Sequence, residues 1–226
     1  MAGVASRRKA DELIAAGKVR VDGKTVTSPG IDVAEGQAVS VNGREACPST
    51  RKVYYILNKP KGYITTTSDE KNRPTVMVFL EDVPERVYPV GRLDGPTTGM
   101  LIFTNDGEFA HRLSHPGQKI QKTYRVHVRG VLSKEKLSKL RKGVDIGGYV
   151  TAPAKVDVVR QSANMIIVDI QIVEGRNRQV RKMITAVGCR VIELERTAIG
   201  GVRLGYLKQG HIRKMRRAEI EMLYSE

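Results

Sequence analysis

The segment Gly91-Arg92-Leu93-Asp94-Gly95-Pro96-Thr97-Thr98-Gly99 sets a carboxylate two residues after an arginine, in a bend of glycine and proline ahead of an apolar run. Loops fixed by such residues on a rigid scaffold commonly present reactive side chains. Asp94 is therefore a candidate acid, base or nucleophile, although an aspartate beside glycine also reads as a turn residue or ion-pair partner. A second constellation is Glu174-Gly175-Arg176-Asn177-Arg178-Gln179-Val180-Arg181-Lys182-Met183. Arg178, Arg181 and Lys182 at i, i+3, i+4 spacing form one cationic stripe whose members repel one another. Phosphate of a nucleic acid is the natural counter-charge, and a carboxylate can take one arginine as a bidentate fork; a solvated basic face is the plainer alternative. The four histidines show no metal-ligand spacing.

The elements that must position these residues follow from periodicity. Asn177 is expected to cap a helix with the apolar stripe Val180, Met183, Ile184 and Val187, closed by Gly188. Strands are expected at Val53–Leu57, Leu101–Phe103, Thr123–Arg129 and Met165–Val173, and a helix at Leu132–Lys142. Near the start, Ser6 can cap a helix over residues 6 to 16 with Gly17 as its exit. Arg7 and Arg8 then fall in its first turn, where each cation opposes the helix dipole by roughly 0.3–1 kcal/mol, a mismatch that an approaching phosphate relieves. Val19, Val21, Asp22-Gly23 and Val26 read as a tight hairpin. Gly23-Lys24-Thr25 lacks the leading glycine of a phosphate-binding loop, since residue 18 is Lys18. Pro48-Ser49-Thr50-Arg51-Lys52 reads as a linker, dividing the chain into 1–48 and 49–226. Asn58-Lys59-Pro60-Lys61-Gly62 is a turn with two cations, of which Lys59 is expected at the nucleic acid. Strands outnumber helices without regular alternation, which indicates an α+β fold.

At 226 residues, 40% hydrophobic and 28% charged, the chain is long enough for a real core. No apolar run approaches a membrane span of ~20 residues, and no apolar stretch follows the first charges as in a secretory signal. Cys47 and Cys189 are isolated from other metal-binding or disulfide partners, which fits a reducing, cytoplasmic setting. Thirty-nine Lys and Arg against 24 Asp and Glu give a net charge of +15, the footprint of a polyanion binder. Residues 1–48 hold seven basic and six acidic residues, leaving 32 against 18 in the remainder. Aromatic residues are 5% and tryptophan is absent, so basic surface rather than a stacking platform must do the holding.

Taken together, Gly91-Arg92-Leu93-Asp94, Thr97-x-Gly99, Thr104-Asn105-Asp106-Gly107, Lys122-Thr123-Tyr124 and Glu174 to Arg181 resemble the ribosomal RNA pseudouridine synthases that carry an N-terminal S-four RNA-binding domain. Ala2 to Arg8 and Val19 to Gly23 resemble that S-four module. The resemblance implies an S-four-like helix-plus-strand domain in 1–48, N-terminally trimmed relative to the family, and a catalytic domain in 49–226. The latter is expected to be a mixed, largely antiparallel sheet with flanking helices. It implies that Asp94 is the essential carboxylate, Tyr124 the tyrosine on the target base, and Arg181 the partner of Asp94. Arg92 would help displace the target nucleotide and Leu194 would line the uracil pocket. Gly95-Pro96 stand where the family usually has a larger residue and then a polar one, implying a different local rim.

The implied reaction detaches uracil from ribose, turns it and rejoins it through carbon 5, on a uridine taken out of its stack. It calls for no cofactor and no metal. The expected partner is ribosomal RNA or a ribosomal assembly intermediate, large-subunit RNA being favoured over small-subunit RNA, with Arg7, Arg8, Lys59, Arg176, Arg178 and Lys182 on the RNA and the chain a monomer. Two other readings stand beside it: a non-catalytic ribosomal RNA-binding factor, and a metal-dependent RNA hydrolase built on Asp94 and Asp106.

Overall fold

The computed structural model describes residues 4–34, 36–47, 51–162 and 165–225; Ala2, Gly3 and Pro48–Thr50 lie outside them. The chain forms two compact units, Met1–Lys52 and Val53–Glu226.

In the first unit, α1 (Arg7–Ala15) is capped by the Ser6 hydroxyl, which accepts from the Lys9 amide at 3.2 Å. The strands β1 (Val19–Val21), β2 (Lys24–Val26), β3 (Val39–Val41) and β4 (Arg44–Glu45) pair antiparallel in the order β2-β1-β3-β4. Asp22 and Gly23 turn the first hairpin with φ of 48° and 77°, the positive pair that a two-residue turn of the right twist requires. The Asp22 carboxylate also accepts from the Ala38 amide (2.9 Å) and the Gln37 side chain (2.7 Å), and these bonds lower its pKa.

The second unit comprises β5 (Tyr54–Lys59), β6 (Tyr88–Val90), β7 (Thr98–Thr104), α2 (Gly107–Ser114), β8 (Lys122–Arg129), α3 (Lys134–Lys142), β9 (Lys155–Gln161), β10 (Ile166–Ile172), α4 (Gln179–Ala186), β11 (Arg190–Ile199), β12 (Val202–Arg203), β13 (Ile212–Lys214) and α5 (Arg217–Ser225). Its sheet runs β13-β5-β7-β11-β8-β10-β9, with β6 on β7 and β12 on β11. Among the described strands, β7 and β11 are the one parallel pair. The architecture is α+β with a largely antiparallel sheet.

Burial explains the composition of each strand. β5 and β7 are covered on both faces: Ile56, Met100 and Ile102 pack with Phe109, Leu113 and Leu223 of α2 and α5, while Leu57, Leu101 and Phe103 pack with Val76, Leu80 and Leu93. These strands are accordingly almost unbroken apolar runs. β8 and β10 alternate, turning Val126, Val128, Val168 and Ile170 onto Leu140, Met183 and Ile184 of α3 and α4. Their other face is polar, with Arg125 forking onto Asp169 at 2.9–3.0 Å.

α4 begins differently from the sequence expectation. Arg178, not Asn177, is the capping position; it is left-handed (φ 52°) and makes no side-chain cap. The local donors are met instead by Gln179, whose side-chain oxygen accepts from the Arg176 amide at 3.0 Å. Arg178 is thus the residue before the helix, its carbonyl accepting from the Lys182 amide at 3.0 Å, and of the three expected cations Arg181 and Lys182 lie on α4 itself.

Candidate active site

Asp94 sits where the chain enters β7, in a turn closed by the Thr97 amide donating to the Asp94 carbonyl at 3.0 Å. The bend is tied from several sides. Leu93 is buried, the Thr65 hydroxyl donates to its carbonyl (2.8 Å), and the Gly62 amide donates to the Gly95 carbonyl (2.8 Å). Below it lies Lys59 with no exposed surface. Its Nζ donates to the carbonyls of Thr97 (2.9 Å), Pro60 (3.0 Å), Asp94 (3.3 Å) and Gly95 (3.3 Å). Burial holds this ammonium down to about 8, partly offset by Asp94. Lys59 was expected on RNA; the structure corrects this, because converging carbonyls of the Asp94 bend enclose it completely.

Arg181, from α4, reaches the same bend. Its Nη2 donates to the Pro96 carbonyl (3.1 Å) and to the Thr97 hydroxyl (3.3 Å). The expected ion pair with Asp94 does not form among the described residues; the guanidinium braces the turn one step further along. Burial and neighbouring Arg178 lower its pKa, and Asp94 acts in the opposite sense.

A cleft of about 360 Å³ opens over the Asp94 bend, and Arg92, Asp94, Tyr124, Arg176, Arg178 and Leu194 all line it. Tyr124 is half-buried on β8 between Ile170 of β10 and Arg196 of β11. Leu194, 5% exposed, supplies apolar wall from β11. Arg92, Arg176 and Arg178 are exposed at the rim. Arg176 lies over the Tyr149 ring at 3.3 Å from its centroid, a stacked cation that fixes the loop. The second carboxylate of the cleft, Glu174, is fully engaged: it accepts from the Tyr149 hydroxyl (2.8 Å), the Ala152 amide (3.0 Å) and the Gln179 side chain. The Asp94 side chain has no hydrogen-bond partner among the described residues and is half-buried in the cleft.

Other residues singled out from sequence lie elsewhere. Lys182 is exposed on α4 and does not line the cleft, and Arg7 and Arg8 are exposed in the first turn of α1, in the first unit. Asp106 caps α2 and accepts from the hydroxyls of Tyr54 (2.7 Å) and Tyr224 (3.1 Å). It does not line the cleft, so the two-aspartate hydrolase reading loses its site. Conversely, the cleft contains Lys122 and Arg196, which sequence reasoning passed over. Lys122 enters the sequence reading only through its motif, and Arg196, although on the same face of β11 as the buried Leu194 and Ala198, is not singled out there.

A family model described as RNA pseudouridylate synthase matches residues 53–186, and one described as S4 domain matches residues 1–39. The ribosomal large subunit pseudouridine synthase B of Bacillus subtilis (strain 168) is 44% identical over 224 residues, spanning 98% of this chain and 91% of that protein. An RNA pseudouridine synthase of Aquifex aeolicus (strain VF5), itself described as uncharacterized, is 40% identical over 99% of this chain and 90% of its own length. Among solved structures, a pseudouridylate synthase superposes with a TM-score of 0.72 at 29% identity, covering 98% of this chain and 95% of its own.

Proposed function

The chain belongs to the RNA pseudouridine synthase family, and on that premise we propose that it isomerises a uridine of large-subunit ribosomal RNA to pseudouridine, with Asp94 as the essential carboxylate. One observation carries the assignment of Asp94: of the two carboxylates lining the cleft, Glu174 is held by three donors while Asp94 is open to whatever enters. The similarity to a large-subunit enzyme of Bacillus subtilis supports the choice of RNA.

In this reading the target uridine leaves its stack, at a cost of a few kcal/mol that contacts in the pocket must offset. Arg92 at the rim fills the vacated place, Tyr124 packs on the base and Leu194 supplies the apolar side. Arg176 and Arg178 hold flanking phosphates at the rim, while Arg7, Arg8 and Lys182 add contacts elsewhere on the RNA. Lys59 and Arg181 act on the backbone of the Asp94 bend, so that the carboxylate is pre-positioned before RNA arrives. The same reading has the protein act as a monomer in the cytoplasm, on ribosomal RNA or an assembly intermediate.

The test is to incubate the protein and its Asp94→Asn variant with unmodified large- and small-subunit ribosomal RNA and to map pseudouridines at nucleotide resolution. A single modified uridine in the large-subunit RNA, lost in Asp94→Asn while RNA binding persists, is the expected result. Turnover retained by the variant overturns the role of Asp94; modification confined to small-subunit RNA overturns the choice of substrate; binding without any modification leaves a non-catalytic RNA-binding factor.

A further inference from the structure

The cleft holds two cations to which the reaction as described gives no task. Lys122 opens β8, and Arg196 on β11 pairs in register with Tyr124, two residues further along β8. Arg196 is 4% exposed; its Nε donates to the Met100 carbonyl at 2.8 Å, and its Nη2 is buried with no partner among the described residues. The Lys122 ammonium has neither a hydrogen bond nor an ion pair among the described residues. Burial, and secondarily repulsion from Arg196, hold it down to about 8. The remaining charged groups lining the cleft are Arg92, Asp94, Glu174, Arg176 and Arg178, and Glu174 is committed to Tyr149, Ala152 and Gln179.

Two neighbouring cations repel more strongly as water is excluded, and a buried charge normally has an acceptor to match it. An electron-rich oxygen placed between them relieves both costs. A phosphodiester is poorly suited to the position, because continuity of the RNA strand keeps it at the rim with the exposed arginines. The part of an extruded nucleotide that goes deeper is its base, and uracil offers two strong acceptors, O2 and O4.

We infer that Lys122 and Arg196 together bind an exocyclic oxygen of the target uracil and stabilise the negative charge it gains when the C1′–N1 bond breaks. This rests on the pseudouridine-forming reading of the same cleft. Both electrons of the C1′–N1 bond leave with the base, giving a uracil anion whose charge is shared by N1, O2 and O4. The electron deficit at C1′ is shared by the ring oxygen and balanced by the Asp94 carboxylate. After the base turns, an electron pair from C5 forms the C1′–C5 bond, the C5 proton passes to Asp94, and N1 takes a proton from water. Asp94 then returns its proton to water, so the sum is an isomerisation. The two cations act where charge develops, as donors to an oxyanion do.

The experiment measures single-turnover pseudouridine formation and RNA affinity for the wild type, Lys122→Met and Lys122→Arg on an unmodified large-subunit ribosomal RNA transcript. Lys122→Met is expected to slow the chemical step about 100-fold with affinity unchanged, and Lys122→Arg to recover most of that loss. The wild-type rate should fall above about pH 8, where Lys122 loses its proton, and in Lys122→Arg that decline should move to higher pH. A Lys122→Met variant at the wild-type rate overturns the inference, as does a loss confined to weaker, more salt-sensitive RNA binding, which assigns Lys122 to phosphate. Should Lys122→Met fail to fold, transcripts carrying 2-thiouridine or 4-thiouridine at the modified position replace it with the wild-type protein. Slowing by one of the two supports the inference, and unimpaired rates with both overturn it. A wild type that forms no pseudouridine overturns the underlying function as well, and is thereby distinguished from failure of the Lys122 assignment alone.

Discussion

Gly99 lies so close to Arg196 that a β-carbon at residue 99 would stand 2.3 Å from the Arg196 carbonyl oxygen. The pair sits where β7 and β11 run parallel, and the φ of Gly99 is +103°, a conformation that side chains rarely adopt. The close approach fixes the height at which Arg196 enters the cleft.

Gly99→Ala is therefore expected to destabilise the protein by about 2–4 kcal/mol, combining backbone strain with a contact that cannot relax onto a flexible side chain. Thermal melting should show a midpoint lowered by roughly 4–16 °C, with activity lost at temperatures where the wild type still works.

Lys59→Met leaves the carbonyls of Pro60, Asp94, Gly95 and Thr97 without their shared donor. A loss of about 2–4 kcal/mol in stability is expected, together with a fall in kcat of about 10–100-fold as the bend loosens. Lys59→Arg should not rescue it, since the site has no exposed surface and a guanidinium is larger. Denaturant melts and single-turnover rates measure both effects.

Arg181→Met removes the brace on Pro96 and Thr97 and is expected to lower kcat by about 100-fold with little change in RNA affinity. Thr97→Val, which removes one of the two acceptors, should produce a smaller loss of the same kind. Equal effects of both variants on affinity, with kcat preserved, would place Arg181 on the RNA instead.

Glu219 accepts from both Arg213 terminal nitrogens at 2.7 Å and from the Arg216 amide at 2.8 Å. The Arg213 guanidinium first, then the Arg216 bonds, overcome burial and bring its carboxyl down to about 2 from 4.5. A carboxyl with a depressed folded pKa contributes stability above its unfolded value and loses it as pH falls through the folded one. Stability from this group should be complete above about pH 4.5 and disappear towards pH 2. Glu219→Gln is expected to cost about 2 kcal/mol at pH 7 and to flatten that part of the acid-unfolding curve.

Arg176→Gln should weaken RNA binding with little dependence on sequence and reduce the slope of log affinity against log salt by about 0.7–0.9. An unchanged slope would confine Arg176 to its contact with Tyr149.

The Asp94 bend was legible because its chemistry is local: glycine, proline and a carboxylate at the start of an apolar strand. The same holds for the alternation of β8, for the Ser6 cap and for the apolar stripe of α4, where each signal is carried within one element. Lys59 was not legible. A lysine before proline in a short turn reads as solvated, and what buries it is a set of carbonyls about 35 residues later in the chain. Arg196 was missed for a related reason, since its parallel neighbour β7 lies almost 100 residues earlier and no periodicity announces that pairing. Asn177 misled because it has the right chemistry for a cap, whereas Gln179 satisfies the loop through Arg176 and Glu174. α2 has no counterpart among the elements expected from sequence, because Asn105-Asp106-Gly107 has the residue types of a turn; in the structure Asp106 is a cap, accepting from the Glu108 amide at 3.1 Å.

Because β11 inserts between β7 and β8, a growing polypeptide that has not yet released residues 190–199 from the synthesis machinery has the Asp94 bend but not the wall that completes the chamber. Premature termination before that point yields a species without Leu194 and Arg196, with two strand edges unzipped. The cleft therefore closes late in translation, once the chain that supplies its apolar wall has left the ribosome.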